Sequence, residues 1–427
     1  MLLLFALLAV CVFIGIPVCY SLGLSALGYF AFIHPELLTI LPQKLYAGFS
    51  SESMIALPLF IVMGGLMNEA GLTQNLIDFA NLLVGKLKGG LACINIVVSM
   101  IFGGISGSST ADVASVGAIL IPEMERRGYE PKYAAGVTVA SATMGMVIPP
   151  SVPMIMFCIT AEYSIGRAFM STMVPGILVG LTQLCLCLLI AYRKNWPKAD
   201  VHYNLSFVLN VCKDALAALV MPLVVLGSII FGIATSNESA SFGVAYAILV
   251  GKLLYKTISL RKLPKIFSDA MKTCTSVMLI IAISQLYVWI FTLEKVPRRL
   301  SAWATSMNFT NVTMLLFLMV IILIAGTFID CTPAILLITP IFLPVCQTMG
   351  IPTEQFAALL VTGLAVGNVT PPVGNCLNVC AKISKLTIMQ IFRGAVPFIC
   401  CNVFVLICIC LFPKISTLLP TLMFGAV

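Results

Sequence analysis

The chain has 427 residues, 60% hydrophobic and 9% charged, with a mean hydropathy of +1.09. That leaves too little polar surface for a soluble globule of this length and marks a polytopic membrane protein. The net charge of +8 does not indicate nucleic-acid binding: the basic residues sit in short loops between apolar runs, with no basic face and no interleaved aromatics, as topogenic charge does.

Uncharged runs long enough to cross about 30 Å of hydrocarbon cover residues 1–33, 89–111, 133–161, 168–192, 215–237, 273–293, 300–329, 355–381 and 394–413. The first is too long for one untilted span, and Gly15-Ile16-Pro17 divides it into two short helices. It lacks the basic start and small-residue cleavage site of a removed signal. Residues 34–53 carry His34, Glu36, Lys44 and Glu52 and are expected as a loop, after which 54–67 crosses again. In 68–90, Asn68, Glu69, Asp78, Lys86 and Lys88 are spread among Leu and Phe, which suits a helix lying along the membrane surface.

Residues 101–150 then occur twice. Gly104, Thr110, Pro122, Gly128, Gly145 and the Pro149-Pro150 pair recur 222 residues later as Gly326, Thr332, Pro344, Gly350, Gly367 and Pro371-Pro372, as do Ile119, Val139 and Val147 at Ile341, Val361 and Val369. In the first copy, apolar residues 91–102 break at a Gly/Ser/Thr cluster, 103–110, and resume over 113–121. Neither arm is expected to span a bilayer comfortably, so the segment predicts a re-entrant hairpin whose tip is buried in protein or faces a watery cavity. Residues 133–161 predict a helix interrupted at 145–153, where Pro149, Pro150 and Pro153 remove donors and push their predecessors out of the helical region. The second copy repeats this pattern: 317–325 and 334–342 flank GTFIDCTP, and 356–382 breaks at 367–374.

Loop 123–132 contains Arg126, Arg127 and Lys132, whereas its equivalent, 345–354, has no Lys or Arg. The positive-inside rule places the first in the cytoplasm and the second outside, which makes the copies inverted repeats and puts both termini outside. Arg193, Lys194 and Lys198, then Lys252, Lys256, Arg261, Lys262 and Lys265, then Lys382, Lys385 and Arg393 all follow that arrangement. Lys295, Arg298 and Arg299 run against it.

Two hairpin tips and two interrupted helices meeting near the bilayer midplane are what a secondary transporter requires. A broken helix frees carbonyls, which with nearby hydroxyls can replace water around Na⁺, and frees N–H groups that can face a carboxylate. The first set is Ser106, Ser108, Ser109 and Thr110 facing residues 145–150, and the second Thr327, Asp330 and Thr332 facing 367–371. Hydroxyls that only cap half-helices would contribute about 1 kcal/mol each and would not require the breaks to pair. An acid within an apolar hairpin is a functional candidate. Asp330 suits a cation site; Asp112, not its equivalent, serves either function or a cap at the second arm's start. Asn368 and Asn375 flank the second proline pair, with a scaffold role favoured for Asn375, and Glu162 with Arg167 suggests a loop pair.

Three other chemistries find little support. Gly104-Ile105-Ser106-Gly107 fits the GxSG pattern of rhomboid-type intramembrane serine proteases, but His34 and His202 fall in loops and leave no base at midplane. No GxxxxGK[ST] loop occurs, so the chain is not expected to hydrolyse ATP. Of sixteen Cys, Cys185, Cys187, Cys400, Cys401, Cys408 and Cys410 lie in apolar runs without polar ligands, as packing residues do.

The stretches GGISGSSTADVASVGAILIPEM, GYEPKYAAGVTVASATMGMVIPPSVPMI, DCTPAILLITPIFLPV and GNVTPPVGNCLNV, with GIPVCYSLGLSAL near the start, resemble the large membrane subunit (DctM-like) of tripartite ATP-independent periplasmic (TRAP) transporters over nearly the whole chain. The resemblance implies an all-α polytopic fold and sodium-driven import of an organic acid by an elevator movement in a bacterial inner membrane, with no enzymatic activity. A stand-alone sodium/dicarboxylate-type transporter is the alternative on the same plan. Two partners are implied: a small four-helix membrane subunit and a periplasmic binding protein that delivers the acid. Residues 1–67 and 193–294 become scaffold, and 68–90 and 295–311 interfacial arms. The mobile transport domain is then 91–192 (hairpin 91–122, broken helix 133–162) with 312–427 (hairpin 312–344, broken helix 355–381). Two or more sodium ions are implied, at Ser106, Ser108, Gly145 and Pro150 and at Gly326, Asp330, Gly367 and Thr370. Ser109, Thr110, Thr332 and Asn368 are left for the substrate.

Overall fold

A computed structural model describes residues 1–50, 53–194, 196, 204–259 and 261–425. Glu52, Lys198 and His202 lie outside the described residues. Among the described residues the regular structure is all helical, as backbone groups immersed in hydrocarbon must bond within their own segment. Seven helices among the described residues are long and apolar enough to cross a membrane, and the protein is a multi-pass membrane protein.

The first half opens with α1 (Leu2–Phe13) and α2 (Val18–Ile33), divided at the Gly-Ile-Pro punctuation. Of residues 34–53, expected as a loop, 35–49 are instead helical, as a 3₁₀ turn (Pro35–Ile40) and α3 (Leu41–Phe49). The reason is packing: Leu37, Leu38, Leu41 and Leu45 join an apolar cluster built from α1, α2 and the end of a later helix, which the scattered charges concealed. Next come α4 (Ser53–Glu69) and α5 (Leu72–Val84), whose Leu72, Leu76, Ile77 and Ala80 are buried along one face.

The first hairpin consists of α6 (Gly90–Ser106), then α7 (Ser109–Asp112), a π-helical turn (Val113–Gly117) and α8 (Ala118–Arg126). Its tip is narrower than the Gly/Ser/Thr cluster suggested. Gly103 and Gly104 stay helical, and only Gly107 and Ser108 turn the chain, Gly107 at φ +62°. The arms are correspondingly longer, about 25 Å at 1.5 Å per residue. The broken helix follows as α9 (Pro131–Ala142), α10 (Met144–Val147) and α11 (Val152–Ala161), and then α12 (Ile165–Arg193). The interruption is residues 148–151, shorter than 145–153, because proline disturbs the backbone before it while Gly145 and Pro153 are tolerated inside helices.

The second half comprises α13 (Leu205–Ile230), α14 (Ser236–Leu249), α15 (Leu263–Leu293), α16 (Val296–Ser306), α17 (Asn311–Phe328), α18 (Cys331–Thr348), α19 (Thr353–Gly367), α20 (Asn375–Ser384), α21 (Ile388–Leu411) and α22 (Lys414–Phe424). Its hairpin turns at Ile329 and Asp330, the partners of Gly107 and Ser108 at the 222-residue offset, and α18 covers the positions equivalent to α7 through α8. The element boundaries therefore repeat well beyond the similar sequence. Capping boxes open three of these helices: Thr235 with Glu238, Thr310 with Thr313 and Thr387 with Gln390. The Thr235 N–H and hydroxyl hold the Glu238 carboxyl below its ordinary range.

The two copies interlock. Helix α9 packs on α21 and α12 on α19, so the broken helices form the interior; 94% of the most apolar 18 residues within Pro131–Ala161 are buried, against 33–44% of the corresponding stretches of α12, α15 and α21. Buried Gln183 of α12 donates to Asn402 of α21 (2.7 Å), which donates to Thr143 (3.1 Å) just before the first break. Arg167 pairs with Glu354, at the start of α19, rather than with the nearby Glu162. Tyr163 donates to the same carboxylate, and Arg167 also donates to the Phe424 and Gly425 carbonyls, so one guanidinium clamps three segments. Glu162 is instead the left-handed cap of α11.

Candidate functional site

The first tip and the first break meet backbone to backbone. A Cβ added to Gly145 would lie 3.1 Å from the carbonyl carbon and oxygen of Ser108, and one on Gly107 3.0 Å from the Pro150 oxygen. Ser106 Oγ accepts from the Ser108 N–H (3.4 Å), while Ser108 Oγ caps α7 by accepting from the Ala111 N–H (3.5 Å) and shares a hydrogen bond with Thr110 (3.1 Å). Ser106, Ser108, Gly145 and Pro150 are thus gathered into one place from two elements. The scaffold reaches it too, for a Cβ on Gly64 of α4 would stand 3.0 Å from the Ser106 oxygen.

The second tip and break repeat the contact more tightly. A Cβ on Gly367 would lie 2.5 Å from the Cα and C of Gly326. The Val373 N–H donates to the Thr327 carbonyl (3.2 Å), and Thr370, just past the end of α19, donates back to the Val366 carbonyl of that helix (2.6 Å). Gly326, Gly367 and Thr370 therefore converge, with carbonyl oxygens as the donor type they offer. Asp330 points elsewhere, exposed, accepting from Asn375 Nδ2 at 2.9 Å. Asn375 thus holds that acid in place.

A cavity of about 1120 Å³ separates the tips. Ser106, Ser108, Ser109, Thr110, Asp330, Thr332 and Asn368 all line it, while Gly145, Pro150, Gly326, Gly367 and Thr370 are not on its wall. Thr110 and Thr332 are half-buried; Ser109 presents its backbone, since its hydroxyl is buried. Asn368 is 8% exposed and directs its amide toward Met146 (3.6 Å). Asp112 caps nothing: Ser108 caps α7, and the Asp112 side chain is buried behind the tip.

The opposite wall was not foreseen. It consists of Gly64, Gly65, Asn68 and Glu69 at the end of α4, and of Lys262, Lys265, Asp269 and Thr273 around the start of α15. The lysines read in the sequence as topogenic charge alone. A usable signal was there for the α4 side, since Asn68 and Glu69 end an otherwise uncharged span.

Comparison with known proteins agrees with this architecture. A family model for the tripartite ATP-independent periplasmic transporter, DctM component, matches residues 5–415. The uncharacterized protein YgiK of Salmonella typhimurium (strain LT2) is 35% identical, covering 98% of this chain and 97% of that protein. The C4-dicarboxylate TRAP transporter large permease protein DctM of Pseudomonas aeruginosa is 33% identical, covering 94% and 93%. Among solved structures, the Alcanivorax borkumensis YdaH transporter superposes with a TM-score of 0.64 at 12% identity, over 89% of this chain and 88% of that one, a likeness of fold.

Proposed function

Because the chain belongs to the DctM component family of tripartite ATP-independent periplasmic (TRAP) transporters, as a large permease subunit and not an enzyme, we propose that it imports an organic acid by sodium coupling through an elevator movement. The observation that carries this is the paired meeting of tips and breaks on either side of a polar cavity. Glycine contacts that leave no room for a Cβ let bare carbonyls approach a common point, and an all-oxygen donor set suits an alkali cation.

In this reading Ser106, Ser108, Gly145 and Pro150 hold one sodium ion, and Gly326, Gly367 and Thr370 a second, with Asp330 contributing its charge from the cavity. Thr110, Thr332 and Asn368 contact the acid, and Ser109 contributes its backbone. The tip serine that fits a protease pattern bonds to Ser108, two residues on. The hairpins, broken helices, α12 and α21 move as the transport domain against a scaffold of α1–α4 and α13–α15 with the arms α5 and α16. The organic acid arrives on a periplasmic binding protein, and a small membrane subunit holds the scaffold in a bacterial inner membrane, with the copies inverted and both termini periplasmic.

The driving force suffices. Two sodium ions with one monoanion carry one net positive charge inward, roughly 2.3 kcal/mol per 100 mV. A tenfold sodium gradient adds about 1.4 kcal/mol per ion, and the total of roughly 5 kcal/mol supports thousandfold accumulation. The test is reconstitution into liposomes with and without the two partners, using a C4-dicarboxylate as the first probe; for that dianion two sodium ions move no net charge, and the gradient alone, about 2.8 kcal/mol, supports roughly hundredfold accumulation. Sodium-dependent uptake requiring both partners is expected. Equal uptake by this chain alone would favour the stand-alone transporter, and sodium-independent uptake would remove the coupling.

A further inference from the structure

Behind the first tip lies a polar cluster that neither ion site uses. Asp112 is 1% exposed, and neither of its carboxylate oxygens has a hydrogen-bond partner. Ser109, three residues earlier and so on the same helix face, is 2% exposed, and its hydroxyl is likewise unpartnered. Ser99 of α6 lies near the carboxylate, outside hydrogen-bonding geometry, and Cys376 of α20 lies near both Asp112 and Ser109. The groups further back are satisfied: Ser99 bonds Ser141 (3.1 Å), Ser141 donates to Asn95 (3.2 Å), and Asn95 donates to Thr138 (2.6 Å).

The second copy shows what the fold itself needs at these places. At the 222-residue offset Asp112 becomes Ala334, Ser109 becomes Cys331 and Ser99 becomes Ile321, while Asn95, Thr138 and Ser141 become Phe317, Leu360 and Gly363. An apolar interior therefore builds the same hairpin. The first hairpin is also π-wound over Val113–Gly117, directly after Asp112, where α18 is a regular helix; such turns recur at functional sites. No ion pair among the described residues involves Asp112. A carboxylate buried without a partner costs several kcal/mol, and a monovalent cation beside it removes that cost.

We propose that Asp112, Ser109 and Ser99 form a sodium site of their own inside the first hairpin, so that the transport domain carries one cation more than its two tips hold. This rests on the sodium-coupled reading of the tips. Carboxylate and hydroxyl oxygens are hard donors suited to an alkali cation, and a single negative charge matches a single positive one. The ion would enter from the tip, past Ser109.

Radiolabelled sodium binding to the purified, assembled transporter tests this without knowledge of the substrate. Three ions per large subunit are expected in the wild type and two in Asp112→Asn, with Asp112→Glu retaining three. Two ions in the wild type would overturn the site whether or not the variants fold. Three ions in both wild type and a folded Asp112→Asn would place the third elsewhere and overturn it equally. No sodium binding at all would sink the tip sites together with this one.

Discussion

Alanine at Gly367 should damage sodium activation more than any other glycine substitution at the two breaks. The added Cβ would stand 2.5 Å from two backbone atoms of Gly326 and 2.9 Å from its oxygen. Carbon atoms settle at about 3.5–4.0 Å, so α17 and α19 must part by about 1 Å at the tip. Neither side can yield by turning a side chain, and overpacking of this kind costs about 1–3 kcal/mol. On the proposed reading the ion holds the two backbones together, so the strain falls on the sodium-bound state, and half-saturation should rise roughly 5-fold to 150-fold. Gly145→Ala meets Ser108 at 3.1 Å and needs a smaller movement, so its effect should be weaker. Gly227→Ala, with nothing within 4 Å, is the silent control. The assay is a sodium titration of uptake by the reconstituted complex, with thermal unfolding of each variant in parallel. An unchanged half-saturation in Gly367→Ala, or a larger shift in Gly145→Ala, would refute the reasoning.

Asp330→Ala should weaken the sodium dependence of uptake; unchanged activation would remove Asp330 from the cation site and leave it a cavity acid held by Asn375. Arg167→Met leaves the Glu354 carboxylate, 10% exposed, with Tyr163 as its remaining partner, and should destabilise the protein by about 3–5 kcal/mol in thermal unfolding. Adding Glu354→Gln should recover much of that loss, and a double variant as unstable as the single one would contradict the clamp. Arg126→Cys and Thr353→Cys, in a background stripped of exposed native cysteines, should label from opposite sides of the membrane. Same-side labelling would end the inverted arrangement of the copies.

Much of the fold was legible because its causes are local. Proline pairs and a Gly-Ser step interrupt helices wherever they sit, so both breaks and the first turn could be placed within a few residues, and the 222-residue register placed the second turn. The misplacements share one cause, the influence of neighbours far away in the chain. Residues 34–49 are helical because leucines there meet helices that begin and end elsewhere, and the first turn shrank to Gly107-Ser108 because Gly103 and Gly104 pack on the facing break. Arg167 chose Glu354 over Glu162 for a similar reason, since the two N-termini are brought together by interlocking copies.

Composition and repeat alone determined that this chain spans a membrane many times, that it is built twice, and where its helices are interrupted. Hydrophobic length, proline sterics and the 222-residue register act within single segments and need no neighbours to express them. Only the tertiary structure decided that the cavity's far wall comes from α4 and α15, that Asp330 leans on Asn375, and that Asp112 is enclosed without a partner. Each of those depends on which surfaces distant segments bury against one another, and burial is a property of the packed whole.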